Sequence, residues 1–286
     1  MEDRFTSTKK VGLFSILGNV FLLIIKIFAG FLSNSQAMIA DAFNSAGDIF
    51  ASIMTFIGNK ISSEPYDEDH NLGHGKAEYI FSLFISISMI LASIKILIDS
   101  FNSLVFSHEF TFSYFLLVTC IITIIIKFCL YIYVNKLSKQ YDNILLNATC
   151  KDHRNDILVT SSTLISILLG LAKIYWFDGI VGIGISIWIC FTGIKIFIES
   201  YNILMDISID NTTKDKIYEI SKLYKDIQNV TKIISSPIGN SFSVSLNISV
   251  DGNMSTFESH SLADNLKKDL LKVSKVSLVI IHVNPV

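Results

Sequence analysis

Acidic side chains occur in this chain where the surrounding sequence offers them no water. The run Ala40-Asp41-Ala42-Phe43-Asn44-Ser45-Ala46-Gly47-Asp48 lies inside an apolar stretch extending from Ser35 to Ile57. Too few residues separate Asp48 from the polar pair Asn59-Lys60 to cross a hydrocarbon core, which takes about 20 residues of helix. The apolar segment must therefore include Asp48, and with it Asn44 and Asp41. An acid at that depth costs at least about 2.5 kcal/mol and by default marks a substrate path. Asn44 and Asp48, four residues apart, stack on one helical face, with Asp41 a turn earlier on nearly the same face.

A second polar group, Lys151-Asp152-His153-Arg154-Asn155-Asp156, precedes the apolar run that begins at Ile157. Asp152 and Asp156 repeat the four-residue spacing. Two readings of this group stand side by side. Ile157 to Trp176 alone reaches the about 20 residues that span a bilayer, which would leave the charges at the membrane surface. Alternatively, buried carboxylates need partners, and the two pairs face each other as a four-ligand oxygen cage for a divalent cation.

The elements that must position these groups are long apolar helices. Of 286 residues, 51% are hydrophobic and 17% charged, with mean hydropathy +0.53. Those values exclude disorder, collagen-like sequence and a disulfide-rich secreted scaffold, and indicate a helical membrane protein. Six segments are long enough to span: Val11 to Leu32, Ser35 to Ile57, Ala77 to Ile98, Phe112 to Val134, Leu145 to Trp176 and Gly179 to Leu204. Lysine and arginine cluster at the amino terminus (Arg4, Lys9, Lys10), after the second segment (Lys60, Lys76) and after the fourth (Lys136, Lys139). The alternate loops Ser33 to Asn34, Asp99 to Thr111 and Phe177 to Asp178 contain none. The positive-inside rule then places both termini in the cytoplasm, and a plasma-membrane location is expected. Lys26, Lys95, Lys127, Lys173 and Lys195 lie toward segment ends, where long stems can snorkel to the interface, so they are expected to be anchors.

Past residue 206 the pattern changes. Ile217, Ile220, Tyr224 and Ile227 recur at helical spacing, whereas Phe242, Val244, Leu246, Ile248 and Val250 alternate with polar residues as in a half-buried strand. Ser255 with Glu258 forms a capping box before a helix carrying Leu262, Leu266 and Leu270. With a weaker strand at Val230 to Ser235 and a last one at Val276 to Val283, the order is α-β-β-α-β. The expected architecture is an α-helical membrane protein with six transmembrane helices over residues 1–206 and a small cytoplasmic α/β domain over residues 207–286. A net charge of −2 offers no basic surplus for nucleic acid. Cys120, Cys129, Cys150 and Cys190 lack metal-finger spacing and read as buried small hydrophobes. No GxGxxG, Walker loop, nucleophile elbow or HExxH pattern is present, so the chain is not read as an enzyme, and an ion gradient rather than ATP must supply energy.

The sequence resembles the cation diffusion facilitator family. The resemblance rests on the pattern ending in Asp48, on Asp152-xxx-Asp156, on Asp67-Glu68-Asp69-His70-Asn71-Leu72-Gly73-His74-Gly75-Lys76-Ala77-Glu78, and on Val279-Ile280-Ile281-His282-Val283-Asn284-Pro285. It implies a homodimer of six-helix subunits that exports divalent metals in exchange for protons by alternating access. It further implies a metallochaperone-like cytoplasmic domain that dimerises. The transport ligands fall on Asn44, Asp48, Asp152 and Asp156. Zinc-transporting relatives usually carry His at the Asp152 position and commonly His or Asp at the Asn44 position. An amide with three carboxylates is a harder, all-oxygen set suited to Mn2+, with Fe2+ or Zn2+ as alternatives. His153 beside Asp152 could supply an imidazole if the helix were rotated slightly, and Asp41 is a further auxiliary candidate. Protons and a dication compete for the same carboxylate oxygens, so proton antiport is the expected coupling.

The resemblance also puts Asp67, His70 and His74 at a second metal position, and Lys76 with Asp206 at a charge interlock. His260 and His282 match zinc positions of relatives, but Asn247 interrupts that set, so packing histidines are expected there. A membrane-bound metal sensor is the alternative from a different functional class.

Overall fold

A computed structural model of the chain describes residues 2–33, 36–106, 114–171 and 176–286; the side chains of 2–3, 30, 32–33, 36–44, 106, 166–167, 170–171 and 176–178 are outside the described set. The side chains of Asp41 and Asn44, and all of Lys173, therefore lie outside the described residues. Six long helices come first: α1 (Glu2–Ser33), α2 (Gln36–Ser62), α3 (Ala77–Phe106), α4 (Tyr114–Tyr141), α5 (Ile144–Leu171) and α6 (Trp176–Leu204). Most outrun the apolar segments, because hydropathy marks the greasy part of a helix and not its ends. One boundary differs in kind. Phe177 and Asp178, expected as a loop, belong to α6, and the connection falls on residues 172–175, outside the described residues. A polar residue can stand in the first turn of a helix, where hydropathy alone reads a break.

Four helical stretches are long and apolar enough to cross a membrane among the described residues: Arg4–Ala29, Ala77–Val105, Tyr114–Tyr141 and Gly179–Leu204. Large apolar side chains such as Phe28, Phe31 and Phe191 stand more than 60% exposed, a pattern that water would penalise and lipid does not. The polar helices α2 and α5 lie among the apolar ones: α2 packs on α1, α3 and α5, and α5 on α2, α3 and α4. Ala51, Ile85, Met89, Leu145, Ala148, Ile189 and Ile196 form the core they share. At Gly58 an added Cβ would come 2.7 Å from the Cβ of Phe81, so only glycine admits α3 this close.

The chain divides into two compact units, residues 1–63 with 77–201, and residues 64–76 with 202–286. In the second, α7 (Asn211–Lys222), β1 (Asn229–Ile238), β2 (Ser241–Val250), α8 (Thr256–Leu270) and β3 (Val276–Pro285) reproduce the expected α-β-β-α-β order. β2 is central, antiparallel to β1 and parallel to β3. Ile217, Val244, Leu246, Ile248, Leu266 and Val279 are core residues. The capping box of Ser255 and Glu258 is formed. α7 stops earlier than the apolar spacing implies, at Lys222, yet Tyr224 and Ile227 still pack on the core from the turn that follows. The side chain of Asp210 caps α7 by accepting from the Thr213 amide, and hydrogen bonds from Thr212 and Thr213 hold its carboxyl down at about 2.

Candidate metal centre

The acids of α2 and α5 meet. Asp48, Asp152, Asn155 and Asp156 line one cavity of about 70 Å³, room for an ion and several waters, since a water needs roughly 10–15 Å³ by this measure. Oδ2 of Asp152 is buried with no hydrogen-bond partner among the described residues. Asp152, His153 and Asp156 each present a ligand atom within 4.8 Å of the others. Neighbouring polar groups set the register. Asn19 of α1 donates to the carbonyl of Asp48 at 3.1 Å and to Ser52 Oγ at 2.9 Å. Thr55 of α2 and Thr149 of α5 join their hydroxyls at 2.6 Å. Within the Asp152 cluster His153 is 0% exposed and Asn155 4%, while Lys151, Asp152, Arg154 and Asp156 are partly buried.

His153 turns toward α1, where its Nε2 meets Ser15 Oγ at 3.0 Å, while its Nδ1 has no partner among the described residues. The imidazole is thus already beside the carboxylates without any rotation of α5.

Sequence reasoning misplaced two lysines, Lys127 and Lys26. Expected as an interfacial anchor, Lys127 is 1% exposed, and its Nζ lies 2.8 Å from Asp48 Oδ2 and 2.5 Å from Asp156 Oδ2. Lys26 is also buried and donates to Ser45 Oγ at 2.9 Å. Lys95 and Lys195 are exposed, as anchors should be. A signal for Lys127 was present in the chain: Thr119, Thr123 and Lys127 recur every four residues and share the buried face of α4. The inward face is marked by polarity here, the reverse of a water-soluble helix. Cys129, on the same helix, is exposed rather than buried; all four cysteines are free.

A separate knot ties the bundle at one end. Glu78 is 2% exposed and takes hydrogen bonds from Arg4 of α1, from Ser62 Oγ of α2 at 3.4 Å and from Asn143 Nδ2 at 3.2 Å. Asn143 in turn caps α5 by accepting from the amides of Leu145 and Leu146.

In the second unit, Asp67, His70 and His74 come together in the loop between α2 and α3. His70 Nδ1 and His74 Nε2 lie 3.2 Å and 3.4 Å from the Asp67 carboxylate. The backbone amide of His70 donates to Asp67 and holds its carboxyl below the usual range. Lys76 pairs with Asp206 at 2.8 Å, and Ser236 Oγ donates to the same aspartate at 2.6 Å; both bonds lower its pKa, Lys76 foremost. Gly239, at φ +57°, brings its Cα to 2.8 Å from where a Cβ on Gly75 would stand, so a side chain at Gly75 would push this loop off β1 and β2. His260 and His282, expected to pack, are both exposed. His260 lies on α8 near Asp264, and His282 sits on β3 opposite Asn247.

A bundle of apolar helices with carboxylates in its interior, followed by a separate α/β unit, defines a membrane protein that handles cations. Residues 12–205 match the cation efflux transmembrane domain, and residues 209–286 the cytoplasmic domain of cation efflux proteins. The chain belongs to the cation efflux family, the one its motifs resemble, and its activity class is efflux of divalent metal cations. It is 27% identical over 292 aligned positions to the manganese efflux system protein MneP of Bacillus subtilis, covering 99% of this chain and 98% of that one. It is 29% identical to MneS of the same organism, with the same coverage. The cation-efflux pump FieF of Shewanella oneidensis is 24% identical, over 93% of this chain and 90% of that protein.

Proposed function

We propose that this chain is a proton-coupled antiporter that exports Mn2+ from the cytoplasm, with Asn44, Asp48, Asp152 and Asp156 as the transport ligands. The observation that carries the reading is the single cavity lined by Asp48, Asp152 and Asp156. Carboxylates are hard oxygen donors that suit Mn2+ better than Zn2+, and the similar proteins MneP and MneS bear the name of manganese efflux proteins, which supports the same choice. In this reading α2 and α5 also span the plasma membrane, giving six spans with both termini cytoplasmic. Residues 1–206 form the transport domain and residues 207–286 the dimerisation domain of a homodimer. Asp67, His70 and His74 form a second cation site, and Asp41 is auxiliary to the first. Each carboxylate must lose its protons to bind the dication, so protons entering from outside displace the cation and reset the carrier.

Zn2+ export by the same machine is favoured by one observation, the His153 imidazole that offers a ligand nitrogen within 4.8 Å of ligand oxygens of Asp152 and Asp156. Uptake of Mn2+, Fe2+, Zn2+ and Co2+ into vesicles containing the full chain, under an imposed proton gradient, separates the readings. Mn2+ is expected to move fastest, and only with the gradient; uptake indifferent to the gradient would remove the antiport. Asn44→His should shift preference from Mn2+ toward Zn2+. A metal sensor would show no uptake that Asp48→Ala could abolish.

A further inference from the structure

We propose that Lys127 is a tethered counter-cation: its ammonium holds the place between Asp48 and Asp156 that the transported dication must take, yields it on loading, and returns to expel the ion. The inference rests on the reading of Asp48 and Asp156 as transport ligands.

The geometry is that of a bridged site. Nζ contacts one oxygen on α2 and one on α5 at once, from a third helix, α4. The lysine side chain is 1% exposed and those of Asp48 and Asp156 14% and 17%, so water compensates these carboxylates only in part and the ammonium is their closest counter-charge. An acidic cluster in an apolar interior is unstable when empty, because each unpaired charge there carries a large desolvation penalty. A resident ammonium removes that penalty between cargo loads. Its presence also makes competition unavoidable. An ammonium and a dication bound to the same oxygens would lie within a few ångströms of each other, and at low dielectric that repulsion is strong. One must withdraw.

The residue type fits this duty. Lysine is a compact point charge on a flexible four-carbon stem, with donors only, so it can retreat without leaving its helix. Arginine would offer a rigid fork and a neutral residue no charge. Tethering makes the return intramolecular, which gives the ammonium a high effective concentration against an ion that must come from solution. Oδ2 of Asp152, without a hydrogen-bond partner among the described residues of the same cavity, offers the incoming ion a first contact that leaves Lys127 in place. Transfer onto Asp48 and Asp156 is then the step that dislodges Lys127.

Calorimetric titration of the full chain with Mn2+, in detergent at fixed, mildly alkaline pH, tests this with Lys127→Met, Lys127→Arg and Asp156→Asn. Lys127→Met should bind Mn2+ about tenfold more tightly or better, since close buried charges couple by at least that factor, and should release it more slowly in vesicle turnover. Lys127→Arg, which keeps the charge, should not tighten. A lysine that only supports the fold predicts the opposite sign, and unchanged or weaker binding by a folded Lys127→Met would overturn the proposal. Should that variant not fold, a structure of the Mn2+-loaded wild type decides: Nζ must have left Asp48 or Asp156, and an ammonium still on both refutes it. Binding lost in Asp156→Asn without tightening in Lys127→Met sinks the lysine alone; binding that Asp156→Asn leaves untouched sinks the ligand reading with it.

Discussion

Two lysine–aspartate pairs in this molecule close at the same 2.8 Å, Lys127 with Asp48 and Lys76 with Asp206. Their surroundings have nothing else in common. The first lies among helices with its lysine 1% exposed; the second sits in the other compact unit with side chains 37% and 56% exposed. In water the attraction is screened and largely offset by the entropy of holding two side chains still, leaving about 0–1 kcal/mol. In the interior the same contact is one that the fold cannot leave half made, because a lone buried charge costs about 3–5 kcal/mol. Distance alone therefore says little about what a pair does. The buried pair can couple cargo to conformation; the exposed one can only bias the position of a loop.

The largest effect should come from removing one side of the buried cluster. Asp156→Ala leaves Lys127 with one carboxylate, and we expect cation uptake into vesicles to vanish, with stability in a denaturant titration falling by about 3–5 kcal/mol. A loss under 1 kcal/mol would erase the contrast between the pairs. Next comes Arg4→Ala, which strips the cationic partner from Glu78 but leaves Ser62 and Asn143 in place. A cost of about 3 kcal/mol is expected in the same titration. Disrupting the cap by Ser255→Ala should cost about 1 kcal/mol, read from thermal melts.

Lys76→Ala should change stability by less than about 1 kcal/mol, and adding salt should shrink even that difference. Its pH dependence has a definite sign. Asp206 titrates below its ordinary value of 3.8 because Lys76 and Ser236 hydrogen-bond its charged form. A depressed folded-state pKa contributes stability that is fully present above the ordinary value and lost as pH falls through the folded one. The wild type and Lys76→Ala should thus differ at neutral pH and converge on acidification. Divergence in acid would mean that Lys76 acts through something other than Asp206.

Much of the fold was legible because its signals are local. Six apolar stretches, the strict alternation from Phe242 to Val250 and the Ser255–Glu258 cap are each visible within a few residues of sequence, and the helices, the central strand and the capping box follow them. Asp48, Asp152 and Asp156 were legible for a different reason, since acids in apolar sequence are expensive and must have company. Lys127 was not, because a lysine near the end of an apolar helix has two outcomes with the same sequence signature. Lys95 and Lys195 reach outward; Lys127 and Lys26 are buried. The polar spacing that distinguishes Lys127, with Thr119 and Thr123 on its face, is informative only once the inward side of the bundle is known to be the polar one. His260 and His282 misled in the opposite sense. A histidine matching a relative's metal position says nothing of burial, and α8 and β3 present both to solvent.

The amino-acid order by itself determined that apolar helices would form, that α2 and α5 would carry acids into them, and that an α/β unit would follow. Those outcomes depend on hydropathy and periodicity, which neighbours along the chain already possess. Only the tertiary structure decided that α4 turns Lys127 inward to bridge two carboxylates, that Glu78 knots four elements together, and that the 64–76 segment gathers Asp67, His70 and His74 in one loop. The first two join groups distant in sequence, and the energy that selects them, burial of charge against charge, exists only after the helices have packed; the third is local, but depends on a loop conformation that hydropathy and periodicity do not encode.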